Sequence, residues 1–311
     1  MTGDDRLAVV DVGSNSLRLL LCEGIGPDGP RGERETTVIG LRRGAGPDGT
    51  IAPDALERLD QTLAGYAEAI DRFGPARTVP VATSATRDAP NRAAIAGVVE
   101  GRLRAPMRVL SGEEEAAVSF AGARLAVEDG GPVVVVDVGG GSTELVRGGP
   151  SGPEGAVSLQ LGAVRQTERH VAHDPPLPEE LEAIRREARS MIEPALADIG
   201  GPAPVVGVAG TATSLAAIDV GRYDRGRVHR HRLPLETIDR LAARLAAMTV
   251  DERRHVSGLD PERAPVIVAG ALIVAEAVRA AGAGEAMISE TDLLDGVALA
   301  ATGAPVLSSP L

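Results

Sequence analysis

Short β-branched runs, each closed by Gly or Ser, punctuate the chain at residues 7–13 (LAVVDVG), 36–42 (TTVIGLR), 78–85 (TVPVATSA), 107–112 (MRVLSG), 133–139 (VVVVDVG), 156–162 (AVSLQLG) and 204–210 (PVVGVAG). Runs of this length and composition predict strands. Between them, apolar side chains recur at three- and four-residue spacing, the period of an amphipathic helix. One such stretch covers 52–73, with Leu56, Leu59, Leu63, Tyr66 and Ile70 on its apolar face, and another covers 178–199, with Leu181, Ile184, Ala188 and Ile192. From about Leu235 to Ala300 the pattern is mostly helical, broken by a short strand at 285–289 (EAMIS). Strands and helices in this alternation predict an α/β fold.

Two of the strands end alike. AVVDVGSNSLRLL at 8–20 and VVVDVGGGSTELV at 134–146 share an apolar run, Asp-Val-Gly, small polar residues and a return to apolar ones, 126 residues apart. A buried strand that delivers an Asp to a tight turn of Gly and Ser leaves backbone N–H groups uncovered, an arrangement that binds phosphate oxygens. The carboxylate beside such a nest repels phosphate unless a cation lies between them. Asp11 and Asp137 are therefore candidate Mg²⁺ positions, Mn²⁺ being the alternative, since Mg²⁺ keeps most of its water and takes one or two carboxylates plus substrate phosphates. The copies differ at one charged position, Arg18 in the first and Glu144 in the second.

A chain of 311 residues has room for two domains. The Gly- and Pro-containing loop at 127–133 is the expected boundary, giving domains 1–127 and 128–311, with the last helix free to pack back on the first. All 32 basic residues are Arg, which excludes the Walker A, protein-kinase and Schiff-base lysines. A net charge of −12 with no Trp, two Tyr and two Phe removes the basic face and the stacking platforms of a nucleic-acid binder. No apolar run reaches the ~18 residues of a membrane span, and MTGDDRLAVV lacks the layout of a signal peptide, so we expect a cytoplasmic protein without a membrane partner. Cys22 sits in an apolar stretch and is read as a core residue. His229 and His231 are read as part of a solvated basic loop, and His173-Asp174 as a loop entering a helix.

The pair DVGSNSLRL and DVGGGSTEL resembles the two phosphate loops of the exopolyphosphatase and guanosine pentaphosphate phosphatase (Ppx/GppA) family, within the actin, sugar-kinase and Hsp70 superfamily. VATSATRDA (81–89), LSGEEEA (110–116), SLQLGAVRQTE (158–168), GVAGTATSLAAI (207–218) and GLDPERAPVIVAGALI (258–273) match in order. The resemblance implies two ribonuclease H-like domains with an active site in the cleft between them, and Mg²⁺-dependent removal of terminal phosphate from inorganic polyphosphate. Hydrolysis of pppGpp and non-catalytic sensing of (p)ppGpp or polyphosphate are the alternatives, and a homodimer is the family's assembly.

By position the resemblance implies Glu115 as the catalytic glutamate. The residues agree: Ser111 and Glu114 form the spacing of a capping box, and Glu113 faces solvent in the first turn, which leaves Glu115 for chemistry. Arg87 is the matching arginine for transition-state charge. Glu144 matches the family's glutamate after Ser-Thr and serves the metal or the water. Ser14, Asn15, Ser16, Gly139, Gly140, Gly141, Ser142, Thr143, Gly210 and Thr211 are the expected phosphate contacts. For Arg18, a direct phosphate contact and an ion pair within its domain both stand. DLLDG at 292–296 departs from the family's Gly-Leu-Arg-Glu-Gly, and the longer members' HD-type domain is absent from this sequence, which points to shorter polyphosphate chains.

Overall fold

The run at the start of the chain is a strand, β1 (Leu7–Val12), and all six of its residues are buried. A strand covered on both faces shows no alternation and belongs inside a sheet. β2 (Ser16–Gly26) turns back on it antiparallel, and β3 (Gly29–Val38) continues the meander. After helix α1 (Pro53–Phe73), β4 (Arg77–Ala82) joins the other side of β1 in parallel. Two helices, α2 (Ser84–Arg87) and α3 (Arg92–Leu103), lead to β5 (Arg108–Val109), which pairs with β4 and completes the order β3-β2-β1-β4-β5. The next helix is α4 (Gly112–Arg124). α1 starts with Pro at its first position and stops at Gly74, whose left-handed backbone (φ 62°) returns its N–H to the Ile70 carbonyl. Its buried face, Leu59, Leu63, Tyr66 and Ile70, packs with α3 over Val10, Leu17 and Leu19 of the sheet.

The pattern then repeats. β6 (Val133–Val138) is followed by antiparallel β7 (Thr143–Gly149) and β8 (Gly152–Leu159), then by helices α5 (Ala163–His170) and α6 (Pro178–Asp198). β9 (Val205–Val208) runs parallel to β6 and opens into α7 (Ala209–Val220). The short α8 (Arg225–Val228) and β10 (Arg232–Pro234) precede α9 (Leu235–Ala246), α10 (Val250–Arg253) and α11 (Ile267–Ala280). β11 (Glu285–Ile288) closes the order β10-β11-β9-β6-β7-β8. α11 is buried on every side from Ile267 to Val278 and is the centre of this core, as an all-apolar helix must be. The last helix, α12 (Leu293–Ala301), joins the core of β1, β2 and α4.

The computed structural model describes residues 6–26, 29–46, 48–128 and 130–307, with side chains for all but 84 and 85. The chain parts into two units, Met1–Gly122 with Leu293–Leu311, and Ala123–Asp292. The first boundary thus lies within α4, ahead of the loop at 127–133, and α12 counts with the first unit. Both sheets have the strand pattern of a ribonuclease H-like domain, a three-stranded antiparallel meander extended by parallel strands on the side of its first strand, with antiparallel β10 added at the edge of the second. Two expectations change. The run at 36–42 is strand only to Val38, because Ile39, Gly40 and Arg42 turn their N–H groups to the carbonyls of Asn15 and Ser14. The apolar return after each Asp-Val-Gly turn is itself a strand, β2 in the first copy and β7 in the second. No helix among the described residues is long and apolar enough to cross a membrane.

Candidate functional site

The two repeated turns are the same object. The Gly13 N–H donates to the Ser16 carbonyl at 3.1 Å, and the Gly139 N–H donates to the Ser142 carbonyl at 3.0 Å. In the first, the Asn15 carbonyl accepts from Ile39 and Gly40 (2.9 and 2.8 Å) and the Ser14 carbonyl from Arg42 (3.2 Å). In the second, the Gly139 carbonyl accepts from Ala163 (2.9 Å) and the Gly140 carbonyl from Val164 and Arg165 (2.9 and 3.1 Å), so the first turn of α5 holds this loop by its carbonyls. In a trans peptide the N–H points opposite the carbonyl. Engaging the carbonyls on one side aims the amides of residues 15 and 16, and of 140 and 141, to the other. Gly162 permits the approach of α5: a Cβ there would lie 2.3 Å from the Gly140 oxygen.

Beneath each turn runs a row of three facing residues. In the first it is Asp11, Arg18 and Thr36; in the second, Asp137, Glu144 and Ser158. Arg18 donates from Nε to Asp11 Oδ2 at 2.9 Å and brings Nη2 to 2.8 Å, so the buried Asp11 already faces a guanidinium. The ion pair engages Oδ2 of the carboxylate expected to meet the metal. In the second row two carboxylates face each other, and Ser158 Oγ donates to Glu144 Oε1 at 2.8 Å. Like charges directly opposite across a ladder repel. A divalent cation with its bound water would remove that repulsion, so Asp137 and Glu144 fit Mg²⁺ better than Asp11 does. Among the described residues no group of three or more His, Cys, Asp or Glu gathers as a closed metal cage. Mg²⁺ does not require one, since it takes a carboxylate or two and the substrate's phosphates.

Two expected phosphate ligands have other tasks. Thr143 is fully buried and its Oγ1 donates to the Leu161 carbonyl; Thr211 Oγ1 donates to the Val138 carbonyl at 2.8 Å, tying the start of α7 to the end of β6. Their hydroxyls hold the scaffold. Gly210, beside the left-handed Ala209 (φ 59°), leaves room for Arg263, whose Nη2 would stand 1.8 Å from a Cβ at 210. Sequence reasoning matched the segment of Arg263 without assigning it; the signal was the glycine it leans on, and that pairing is long-range.

The first unit holds the acid–base candidates. Ser111 and Glu114 close the predicted capping box: Ser111 N–H donates to Glu114 Oε2 at 2.9 Å, and Glu114 N–H to Ser111 Oγ at 3.1 Å. The Ser111 N–H holds the Glu114 carboxyl below its ordinary range, against a smaller opposing push from burial and with Arg108 adding to the depression. Glu113 is exposed. Glu115 turns to Arg87, which donates from Nη1 to its Oε2 at 3.0 Å and to the Leu110 carbonyl at 2.8 Å. An ion pair fixed at the start of α4 orients one carboxylate.

The model of the Ppx/GppA phosphatase family matches residues 33–303. The chain belongs to this family. It is a phosphoanhydride hydrolase built from two actin-like, ribonuclease H-like units. Exopolyphosphatase 2 of Mycobacterium tuberculosis is 38% identical over 96% of this chain and 99% of its own length. Among solved structures, the Ppx/GppA member of Aquifex aeolicus has a TM-score of 0.82 at 29% identity, covering 94% of this chain and 96% of its own. An exopolyphosphatase from Cytophaga hutchinsonii has a TM-score of 0.87 at 25% identity, covering 98% of this chain and all of its own.

Proposed function

We propose that the chain hydrolyses the terminal phosphate of inorganic polyphosphate, with Mg²⁺ held at Asp137 and Glu144. Water attacks the terminal phosphorus, the bridging P–O bond on the far side breaks, orthophosphate leaves, and the chain is one unit shorter. Glu115 aligns the water and takes its proton. Phosphoryl transfer passes through a loose transition state that depends on positioning and charge more than on basicity, so a carboxylate fixed by an arginine suits the task. Each unit offers donors of its own to phosphate oxygens: the turn amides at 13–16 and the Arg87 guanidinium in the first, the turn amides at 139–142 and the Arg263 guanidinium in the second. A bound Mg²⁺ would neutralise charge on those oxygens.

The observation that carries this reading is the division of labour in SGEEEA: Glu113 in solvent, Glu114 in the cap, and Glu115 held by Arg87. The name of the M. tuberculosis relative supports polyphosphate as the substrate. The test is phosphate release from polyphosphate and from pppGpp, side by side, with wild type and Glu115→Gln. Wild type prefers polyphosphate and stops in chelator, and Glu115→Gln is slower by about 10²- to 10⁴-fold. Faster release from pppGpp would move the chain to nucleotide hydrolysis, and a fully active Glu115→Gln would end the role of that residue.

A further inference from the structure

α12 packs against the helix that carries Glu115, and one residue of it has no room for a side chain. A Cβ at Gly296 would fall 1.7 Å from the Val118 carbonyl oxygen, 2.5 Å from its carbonyl carbon and 2.9 Å from its Cα. Val118 lies three residues beyond Glu115 on α4, one turn along the same side. We infer that Gly296 is a positioning residue for Glu115, the stop against which the catalytic helix is seated; this rests on the role proposed for Glu115.

Neither partner can yield easily. α12 is anchored through Asp295, fully buried, which accepts from Arg34 Nη1 on β3 at 3.1 Å and from Nη2 at 2.5 Å. Leu293, Leu294, Val297 and Ala298 are buried in one cluster with Leu7, Val9, Leu20, Leu110 and Val118. α4 is anchored at its other end, where the Ser111–Glu114 box and the Glu115 N–H on the Ser111 carbonyl (2.9 Å) fix its first turn. A methyl at 296 therefore displaces backbone, and the nearest functional group on the displaced helix is the carboxylate that Arg87 holds. A shift on the order of 1 Å at a reacting group costs about 10²-fold in rate. DLLDG keeps an acidic residue and the final Gly of the family's motif, and both are used here: Asp295 supplies the anchor and Gly296 the bare backbone.

The experiment compares kcat, KM and thermal midpoint for polyphosphate hydrolysis in wild type, Gly296→Ala, Val99→Ala and Glu115→Gln. Val99 is a buried residue of α3 and belongs to a core cluster that contains no residue of α4, so its truncation reports loss of stability away from that helix. The expected result is a 10- to 100-fold fall in kcat for Gly296→Ala with KM within twofold, and an unchanged kcat for Val99→Ala. Should Gly296→Ala fail to fold, Val297→Ala loosens the same seat and lowers kcat at least threefold relative to Val99→Ala. Wild-type kcat in Gly296→Ala, or a loss no larger than that of Val99→Ala at equal midpoint, overturns the inference. If Glu115→Gln collapses while Gly296→Ala turns over normally, only the positioning role falls; if Glu115→Gln is fully active, the reading of Glu115 falls first.

Discussion

The hairpin β1–β2 and the hairpin β6–β7 have the same turn, the same register and the same Asp, and differ in what faces that Asp. The first carries its own cation, Arg18, on buried Asp11; the second sets Glu144 opposite Asp137 and adds the Ser158 hydroxyl. One row pairs a carboxylate with a guanidinium, while the other sets two carboxylates opposite each other below a turn whose amides face away from its carbonyl contacts. On the proposal that Mg²⁺ binds at Asp137 and Glu144, a duplicated phosphate turn has specialised, one copy as a fixed scaffold and the other as a seat for an exchangeable ion. Backbone geometry alone does not separate them.

The comparison breaks most sharply at Glu144. Glu144→Arg would make the second row a copy of the first, which the fold already accommodates; activity is expected to fall by about 10²-fold or more. The stabilisation that Mn²⁺ gives in a thermal melt should vanish with it, and a variant still stabilised by Mn²⁺ would show that the second row is no cation seat. In the first hairpin, Arg18→Met leaves a buried carboxylate without its guanidinium, and urea unfolding should register a loss on the order of 3 kcal/mol. A loss no larger than that of a surface substitution would mean that the pair contributes little. The turns themselves differ less. A Cβ at Gly13 meets the Ser16 oxygen at 2.9 Å and one at Gly139 meets the Ser142 oxygen at 3.3 Å, so Gly13→Ala should cost about 2 kcal/mol and Gly139→Ala less than about 1 kcal/mol.

The smallest effect concerns a carboxylate stabilised by backbone donors, with an arginine as the lesser partner. Glu114 has its folded pKa lowered, so its contribution is fully present above the unfolded value near ~4.3 and is lost as pH falls through the folded value. Glu114→Gln should lose about 1 kcal/mol or less at pH 7 and show a flatter acid limb than wild type below about pH 5. Parallel acid limbs in the two proteins would remove the linkage.

Much of this was legible along the chain, for physical reasons that also mark where legibility stops. α1 and α6 were readable because Leu59, Leu63, Ile184 and Ile192 keep the helical period, and β1 and β6 because a buried central strand is a short β-branched run. β2 was hidden by its Leu-rich centre, buried on both faces and therefore without alternation. The capping box could be read at its fixed spacing. Arg263 on Gly210, Thr211 on Val138 and Gly296 on Val118 join positions far apart in sequence, and no local pattern encodes such meetings. The ion pair of Arg18 with Asp11 likewise needs the register that sets the two strands side by side.

The first unit is assembled from two stretches of chain, with Ala123–Asp292 lying between them. During translation the intervening unit is complete before α12 exists, at least 170 residues after α4 began to emerge if Ala123–Asp292 alone is counted. At about 5–20 residues per second that is a wait of roughly 10–30 s for the leading sheet. Until then the cluster at Leu7, Val9 and Leu20 has Val79, Val81, Leu110 and Val118 to pack against but lacks Leu293, Leu294, Val297 and Ala298, the part of its core that is written last.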